Sequence, residues 1–375
     1  MLDGVHLTLL IGPGVPVPAP AAVLDALDAV QVSSGGDRGG FQLSFQVGKT
    51  SLIQNVLLPA GYFDPILTRV IIVATVRGLP HVLADGVVTR QEIAPSNEPG
   101  KSTLTITGED LSLYMDLVEM PFMRFPAMPI IARVYAILAK YAALGIAPIA
   151  IPPVVPDIPN PLEEIPHQHG TDREYLKELA AGCGYVFYIE PGPAPGANIA
   201  YFGPDIRIPA PQPALNVNMD AYTNVESLSF SLDGMAKKVV VMTVMDPVSR
   251  RAPIPVPIPN LSVLRPPMGL RIPVPSRLEF PGDVAHLNPS DAANKALGIM
   301  FAAQDSITGS GSLDVMRYGH VLRARMMVGV RGAGVSYDGL YYVNSVTHDI
   351  KRGQYKQSFN LSRDGLVSNT PVVLP

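Results

Sequence analysis

The chain is poor in the residues that most often carry chemistry. Its 375 residues include one cysteine, Cys183, which excludes an intramolecular disulfide and a multi-cysteine metal site. There is no tryptophan and only 7% aromatic residues, a poor basis for a carbohydrate-binding module that stacks sugars on rings. Positive charge is also short, with 28 Lys and Arg against 32 Asp and Glu. Nucleic-acid binders carry a clustered basic surface, so no nucleic-acid partner is expected. The N-terminal stretch has Asp3 where a secretory signal needs positive charge, and Pro13, Pro16 and Pro18 break its apolar run, so no signal peptide is expected. The most hydrophobic window, 127–151, contains Arg133 and Lys140 and is ended by Pro148. A membrane span needs about 20 apolar residues with few or no charges. Two charges seven apart share one helix face, so this window reads as an amphipathic helix on a soluble core, without stable membrane insertion.

Hydrolase and nucleotide signatures are missing too. The sequence has no Gly-x-Ser-x-Gly elbow, no His-Glu-x-x-His and no phosphate loop. Gly332-Ala333-Gly334 lacks the third glycine and the following helix that a dinucleotide site requires. Among the seven histidines, His167-Gln168-His169 lies in a proline-flanked loop without a cysteine or third histidine nearby. His348 alternates with Val346 and Ile350 and reads as a strand-face histidine, and His320 as a packing residue before a strand. The carboxylate pairs Glu109-Asp110 and Glu163-Glu164 are adjacent, so their side chains diverge. A glycosidase needs two carboxylates facing one cleft about 5–10 Å apart. No catalytic, cofactor-binding or metal residues are assigned.

What is abundant is proline, and its placement is informative. The 39 prolines crowd into 13–20, 148–166, 191–213 and 247–275. Proline cannot donate to a sheet ladder, so these stretches read as connectors between β segments.

Those β segments repeat. Leu67-Thr68-Arg69-Val70-Ile71-Ile72-Val73, Val76-Arg77-Gly78, Asp85-Gly86 and Leu104-Thr105-Ile106-Thr107 are matched by Leu322-Arg323-Ala324-Arg325-Met326-Met327-Val328, Val330-Arg331-Gly332, Asp338-Gly339 and Phe359-Asn360-Leu361-Ser362. The offset is 255, drifting to 253 and back, too long for a solenoid period of about 20–50 residues. Upstream, Leu43-Ser44-Phe45-Gln46-Val47 pairs with Leu228-Ser229-Phe230-Ser231-Leu232. Two copies of one β domain are expected, with Asp85-Gly86 as hairpin-turn chemistry.

Between them the text changes. A helix is expected from Pro129 to about Leu144 with Gly145 as its stop, then a proline-rich connector. Thr171 and Glu174 form a capping box for a helix with Tyr175, Leu176 and Leu179 buried, followed by the strand Tyr185–Ile189. The fold class is therefore mainly β with an inserted α/β module: a first tube-like β-barrel domain at 1–116, the module at 117–221, and a second barrel at 222–375 with a proline-rich insertion at about 247–307. Ser290 to about Ser306 reads as a helix. Within 251–259 proline alternates with apolar residues, giving extended backbone without hydrogen bonds of its own. Arg250, Arg251, Ile254, Val256 and Ile258 are the candidate partner contacts.

Tyr318-Gly319-His320-Val321-Leu322-Arg323, Val330-Arg331-Gly332-Ala333-Gly334, Tyr337-Asp338-Gly339-Leu340-Tyr341-Tyr342-Val343 and Tyr355-Lys356-Gln357-Ser358-Phe359, with Thr171-Asp172-Arg173-Glu174-Tyr175-Leu176 in the middle, resemble the late-control-D family of phage tail hubs. The resemblance covers about Phe41 to Arg363 outside the proline-rich insertions. It implies two tube-like β-barrels and a homotrimer that presents six similar units. Such a trimer adapts a six-fold inner tube to a three-fold spike in a contractile phage tail or injection system. It also implies an inner-tube or tube-initiator protein, a spike and other baseplate components as partners, assembly in the bacterial cytoplasm, and no enzymatic activity. Spike-fused members continue past the second barrel whereas this sequence stops at Pro375, so the spike is expected as a separate protein. The other expectations are a tail-associated peptidoglycan hydrolase with an unrecognised module, and a carbohydrate-binding module.

Overall fold

The computed structural model describes residues 4–98, 100–153, 159, 165–207, 210–245, 253–257, 266–274, 277–279, 294, 298 and 305–370, with backbone alone at 238, 240, 242–245 and 253–257. Strands make up 47% and helices 17%, so the fold is mainly β. The first β region contains β1 (Val5–Pro13), β2 (Val17–Pro18), helix α1 (Ala21–Ala26), β3 (Leu27–Gly35), β4 (Gly40–Val47), β5 (Thr68–Val76), β6 (Leu79–Ala94) and β7 (Ser102–Asp110). The middle contains α2 (Ile130–Leu138), β8 (Ile146–Ala150), α3 (Asp172–Cys183), β9 (Val186–Pro191) and β10 (Asn198–Gly203). Next come β11 (Gln212–Asn216), β12 (Ser227–Leu232), β13 (Lys238–Met245), β14 (Pro253–Pro257), β15 (Gly269–Arg271) and β16 (Arg277–Glu279). The chain closes with β17 (Ile307–Asp314), β18 (Met327–Arg331), β19 (Gly339–Lys351), β20 (Gln354–Arg363) and β21 (Leu366–Ser368).

The repeat is visible in the pairing. The first region runs β5-β6-β7-β4-β3 and the last β18-β19-β20-β17-β12, with every neighbour antiparallel. Each long central strand carries a bulge against its following neighbour, between Val88 and Arg90 in β6 and between Val343 and Ser345 in β19, and β6 has a further one at Leu83 opposite β5. The extra residues, Thr89 and Asn344, stand 255 apart. A left-handed residue precedes the first strand of each set, Ile66 at φ 69° and Arg325 at φ 59°. Both donate their backbone N–H across 2.7 Å to the carbonyl before the bulge, that of Val88 and that of Val343. Non-glycine residues at positive φ are uncommon, so a shared pair of them marks one backbone path used twice.

The two β regions are not separate sheets. The half of β19 beyond its bulge, Ser345–Lys351, pairs antiparallel with Ala29–Gly35 of β3, and one hydrophobic core runs from Val5 to Leu361. A second core belongs to the middle module, where α2 and α3 pack on β8, β9 and β10 and meet Val87, Leu111 and Met115.

Helix ends follow local chemistry. The Thr171 side chain accepts from the Glu174 N–H and the Glu174 carboxylate accepts from the Thr171 N–H, closing two otherwise unpaired amides. Helix α2 continues as a 3₁₀ turn from Ala139 to Leu144 before left-handed Gly145 stops it. Tyr175 and Leu176 are buried, and Leu179 is half-buried.

Several expectations are corrected. Asp85-Gly86 is no turn: both residues lie inside β6, and the tight turn is Arg77-Gly78, both at positive φ. Two such residues suit the type I′ geometry that matches strand twist. The upstream match was one strand out, since β12 takes the place of β3 and β17 that of β4 in the strand order. Adjacent strands with one face on the same core carry the same two-residue period, so alternation alone does not separate them. Gln212–Asn216, assigned to the module, forms β11 and pairs in parallel with β18. Pro148 is tolerated inside β8 because β8 is an edge strand.

The proline-alternating segment is not free of ladder bonds, for β14 pairs antiparallel with β13, Met242 opposite Val256 and Val244 opposite Ile254. Successive N–H groups in a strand point to opposite edges. With proline at every second position, the N–H groups of Ile254 and Val256 face one edge, and the missing donors fall on the outer edge of an edge strand. Most of the expected helix from Ser290, including Ser290 itself, lies outside the described residues; Asn294 and Gly298 are helical, and Ser306 leads into β17.

Candidate functional surface

Three sets of contacts lock the module to the two β regions. At the first, Arg69 Nε and Nη2 donate to the two carboxylate oxygens of Asp85, each at 2.7 Å. Asn198 at the start of β10 donates to the same Asp85 carboxylate at 2.8 Å. All three residues are buried, and a fork-to-carboxylate pair fixes orientation as well as distance.

The second is built on Arg325, whose left-handed backbone aims its side chain at two other parts of the chain. It donates to Glu190 at 2.6 Å and to the Gly36 carbonyl at 3.0 Å, and lies 3.8 Å over the Tyr188 ring. One guanidinium thus joins the second β region, the β3–β4 loop and the module. Burial first, and the Glu190 charge second, push the Tyr188 hydroxyl above the usual phenol range, so it stays neutral.

The third is ionic. Arg173 in α3 reaches Asp116 at 3.3 Å and the Asp37 carbonyl at 2.9 Å, Lys177 pairs with Asp37, and Arg38 pairs with Glu109 at 2.6 Å and with Asp116. A hydrogen bond from Lys177 is the largest favourable cause of the lowered Asp37 pKa, with desolvation opposing it.

A cavity of about 30 Å³ lies at this junction, lined by Ser34, Gly35, Gly40, Phe41, Asp85 and Arg325. That is water-sized, too small for an organic substrate.

The histidines are held structurally. His348 is 3% exposed and its Nδ1 stands 2.8 Å from the Tyr355 hydroxyl and 3.2 Å from Gln357 Nε2. Gln357 is oriented by accepting from the Leu322 N–H at 3.0 Å and donating to the Leu322 carbonyl at 2.8 Å. Its amide nitrogen therefore faces Nδ1, which acts as acceptor in a neutral ring. The His167 and His169 rings meet edge to face at 4.1 Å. Among the described residues no three His, Cys, Asp or Glu side chains cluster as metal ligands.

Of the candidate contacts, Ile254 and Val256 occupy β14 with only their backbone described, while Arg250, Arg251 and Ile258, like Glu163 and Glu164, lie outside the described residues. The structure brings together a different set, Arg69, Asp85, Asn198 and Arg325. A signal existed for the first two: a lone Arg and a lone Asp, each set in an apolar strand, demand one another once buried.

What remains open is the sheet's own rim. Among the described residues, strand β12 pairs only with β17, and Arg90–Ala94 of β6 pairs only with β7. Unpaired edges are templates for another strand, which makes these the candidate contact surfaces.

The architecture matches solved structures along its whole length. A tail protein from Neisseria meningitidis MC58 superposes with a TM-score of 0.64 at 14% identity, covering 97% of this chain and 98% of that one. The chain has the fold of phage tail proteins. The 43 kDa tail protein of prophage MuSo2 from Shewanella oneidensis shares that fold at a TM-score of 0.61, 12% identity and coverage of 96% and 99%. A type VI secretion component of E. coli, c3393, shares the tail-protein fold at a TM-score of 0.51, 10% identity and coverage of 93% and 77%. No family model and no curated protein matches by sequence. No helix among the described residues is long and apolar enough to cross a membrane.

Proposed function

We propose that the chain is a structural baseplate hub of a contractile tail or injection particle, a homotrimer that adapts the six-fold inner tube to a three-fold spike. One observation carries this reading: a tail-protein fold over the full length whose two β regions repeat one strand order within a single chain. Two similar units per chain become six in a ring of three, which is the count a six-fold tube needs. The work is mechanical, and the clasp of Arg69, Asp85, Asn198 and Arg325 supports it by holding the module rigidly against both units. The partners are the inner-tube or tube-initiator protein, the spike and other baseplate components, with no catalytic group required.

The test is assembly. The full chain, tagged and expressed with the sheath, tube and spike proteins of its own system, is expected at three copies per particle, and its deletion is expected to abolish tube formation. Complete particles formed without it would overturn the proposal. Clearing of peptidoglycan in a zymogram by the purified chain would replace it with the tail-associated hydrolase.

A further inference from the structure

Strands β6 and β19 are the same strand used twice, since bulge, preceding carbonyl and left-handed donor coincide. Their fates beyond the bulge differ. In β19 this half receives β3, and Val346, His348 and Ile350 are buried. In β6 the equivalent half receives no described strand, and all of Arg90–Ala94 is exposed. The strand that corresponds to β3 in the repeat is β12, and its outer edge is likewise unpaired among the described residues. Donor edge and acceptor edge are both present, but at opposite ends of the pairing order.

We infer that Arg90–Ala94 of one copy pairs antiparallel with Ser229–Asp233 of a second copy, repeating between chains the junction that β19 and β3 make within one. The register follows from two ladders. Ser345 stands opposite Gly35 and His348 opposite Val32. The matching bulges equate Ser345 with Arg90 and His348 with Ile93. Val32 lies opposite Phe41, which lies opposite Gly108. In the other repeat Phe230 lies opposite Gly309, which lies opposite Leu361, so Phe230 takes the place of Val32. The inferred partners are Arg90 with Asp233, Gln91 with Leu232, Glu92 with Ser231, Ile93 with Phe230 and Ala94 with Ser229.

The side chains agree with this register, which rests on backbone pairing alone. Ile93 and Leu232, 42% and 41% exposed in the single chain, fall on one face and flank Phe230. That face is the core side, because Phe230 already stacks on Tyr337 at 5.3 Å and packs tilted against Tyr341 at 5.2 Å. Arg90, which pairs with the exposed Glu92 in its own chain, meets Asp233 across the junction. Opposite charges directly across a ladder stabilise it. The contact is heterologous, so repeated application closes a ring or grows a filament. Closure at three rests on the hub reading, whereas the edge pairing stands without it.

Cysteine cross-linking tests this on the full chain, whose native Cys183 is buried. Facing residues in an antiparallel ladder alternate between hydrogen-bonded and non-hydrogen-bonded pairs about 5.5 and 4.5 Å apart, within disulfide range. Two adjacent pairs therefore sample both geometries: Gln91→Cys with Leu232→Cys, and Glu92→Cys with Ser231→Cys. At least one of these double variants is expected to give an intermolecular disulfide under mild oxidation of the purified chain. The shifted combination Gln91→Cys with Ser229→Cys is expected to give none. Circular dichroism of the reduced variants checks that they fold. A folded chain without cross-links in both double variants overturns the edge pairing, whether or not native mass spectrometry shows an oligomer. Equal cross-linking by the shifted pair overturns the register. A disulfide ladder that closes at three supports both proposals, whereas one that runs past three supports the edge pairing and refutes the trimeric hub.

Discussion

His348 gives the sharpest prediction about stability. The ring is buried, its Nδ1 accepts from the Gln357 amide that Leu322 orients, and the Tyr355 hydroxyl lies 2.8 Å away. Protonation would set an N–H against the Gln357 amide nitrogen and place a charge in a buried site. Burial is the main cause that lowers its pKa to about 3, with the positive charge of Arg323 next. An unfolded histidine titrates near about 6.5. Below that pH the unfolded chain binds a proton that the folded chain refuses, so stability falls as pH falls, and it does so until the folded pKa is reached. The slope for one such group approaches about 1.4 kcal/mol per pH unit only well below about 6.5, so lowering the pH from about 6.5 to about 4.5 removes about 2 kcal/mol. Carboxylates and His81, whose pKa is also lowered by burial and Arg323, add slopes of their own. The measurement is therefore a difference: guanidinium denaturation of the parent and of His348→Gln across that range. The variant is expected to be less stable near neutral pH yet to lose less on acidification, so the two curves converge. Parallel curves would show that His348 does not resist protonation, and the assignment of Nδ1 as a desolvated acceptor would be wrong.

Removing the carboxylate in Asp85→Ala strands the Arg69 guanidinium in a buried site and is expected to cost about 3–5 kcal/mol, whereas replacing both partners by apolar residues (Arg69→Met with Asp85→Leu) recovers most of it; equal losses in thermal denaturation would show that the charge pair is not the source. Thr171→Ala removes one half of the capping box of α3 and is expected to cost about 1 kcal/mol, with the backbone amide of Glu174 losing hydrogen-exchange protection first; unchanged exchange there would contradict the cap's role.

How much of this was legible before folding depends on the range of each interaction. The capping box at Thr171, the Gly145 stop and the mainly β composition depend on residues within a turn of one another, and the sequence states them directly. The duplication was legible in outline, because similar strand and turn residues recur about 255 positions apart, but not in register: the pairing equates Ile66 with Arg325, Thr89 with Asn344 and Thr107 with Asn360, offsets of 259, 255 and 253. What a strand pairs with was not legible. Alternation reports that one face is buried, and β4, β12 and β3 all satisfy it, so Leu43–Val47 and Leu228–Leu232 matched although they occupy neighbouring places in the order. Asp85-Gly86 has turn chemistry by composition, yet the partner that decides its conformation is Arg69, brought alongside by β5. The proline-alternating β14 looked unable to pair until an edge position put its missing donors on the open side. The junction of β19 with β3, and the matching halves left open at Arg90–Ala94 and β12, join residues more than a hundred positions apart. Hydrogen-bond donors and acceptors are the same in every backbone, so only their placement in three dimensions decides which edges meet.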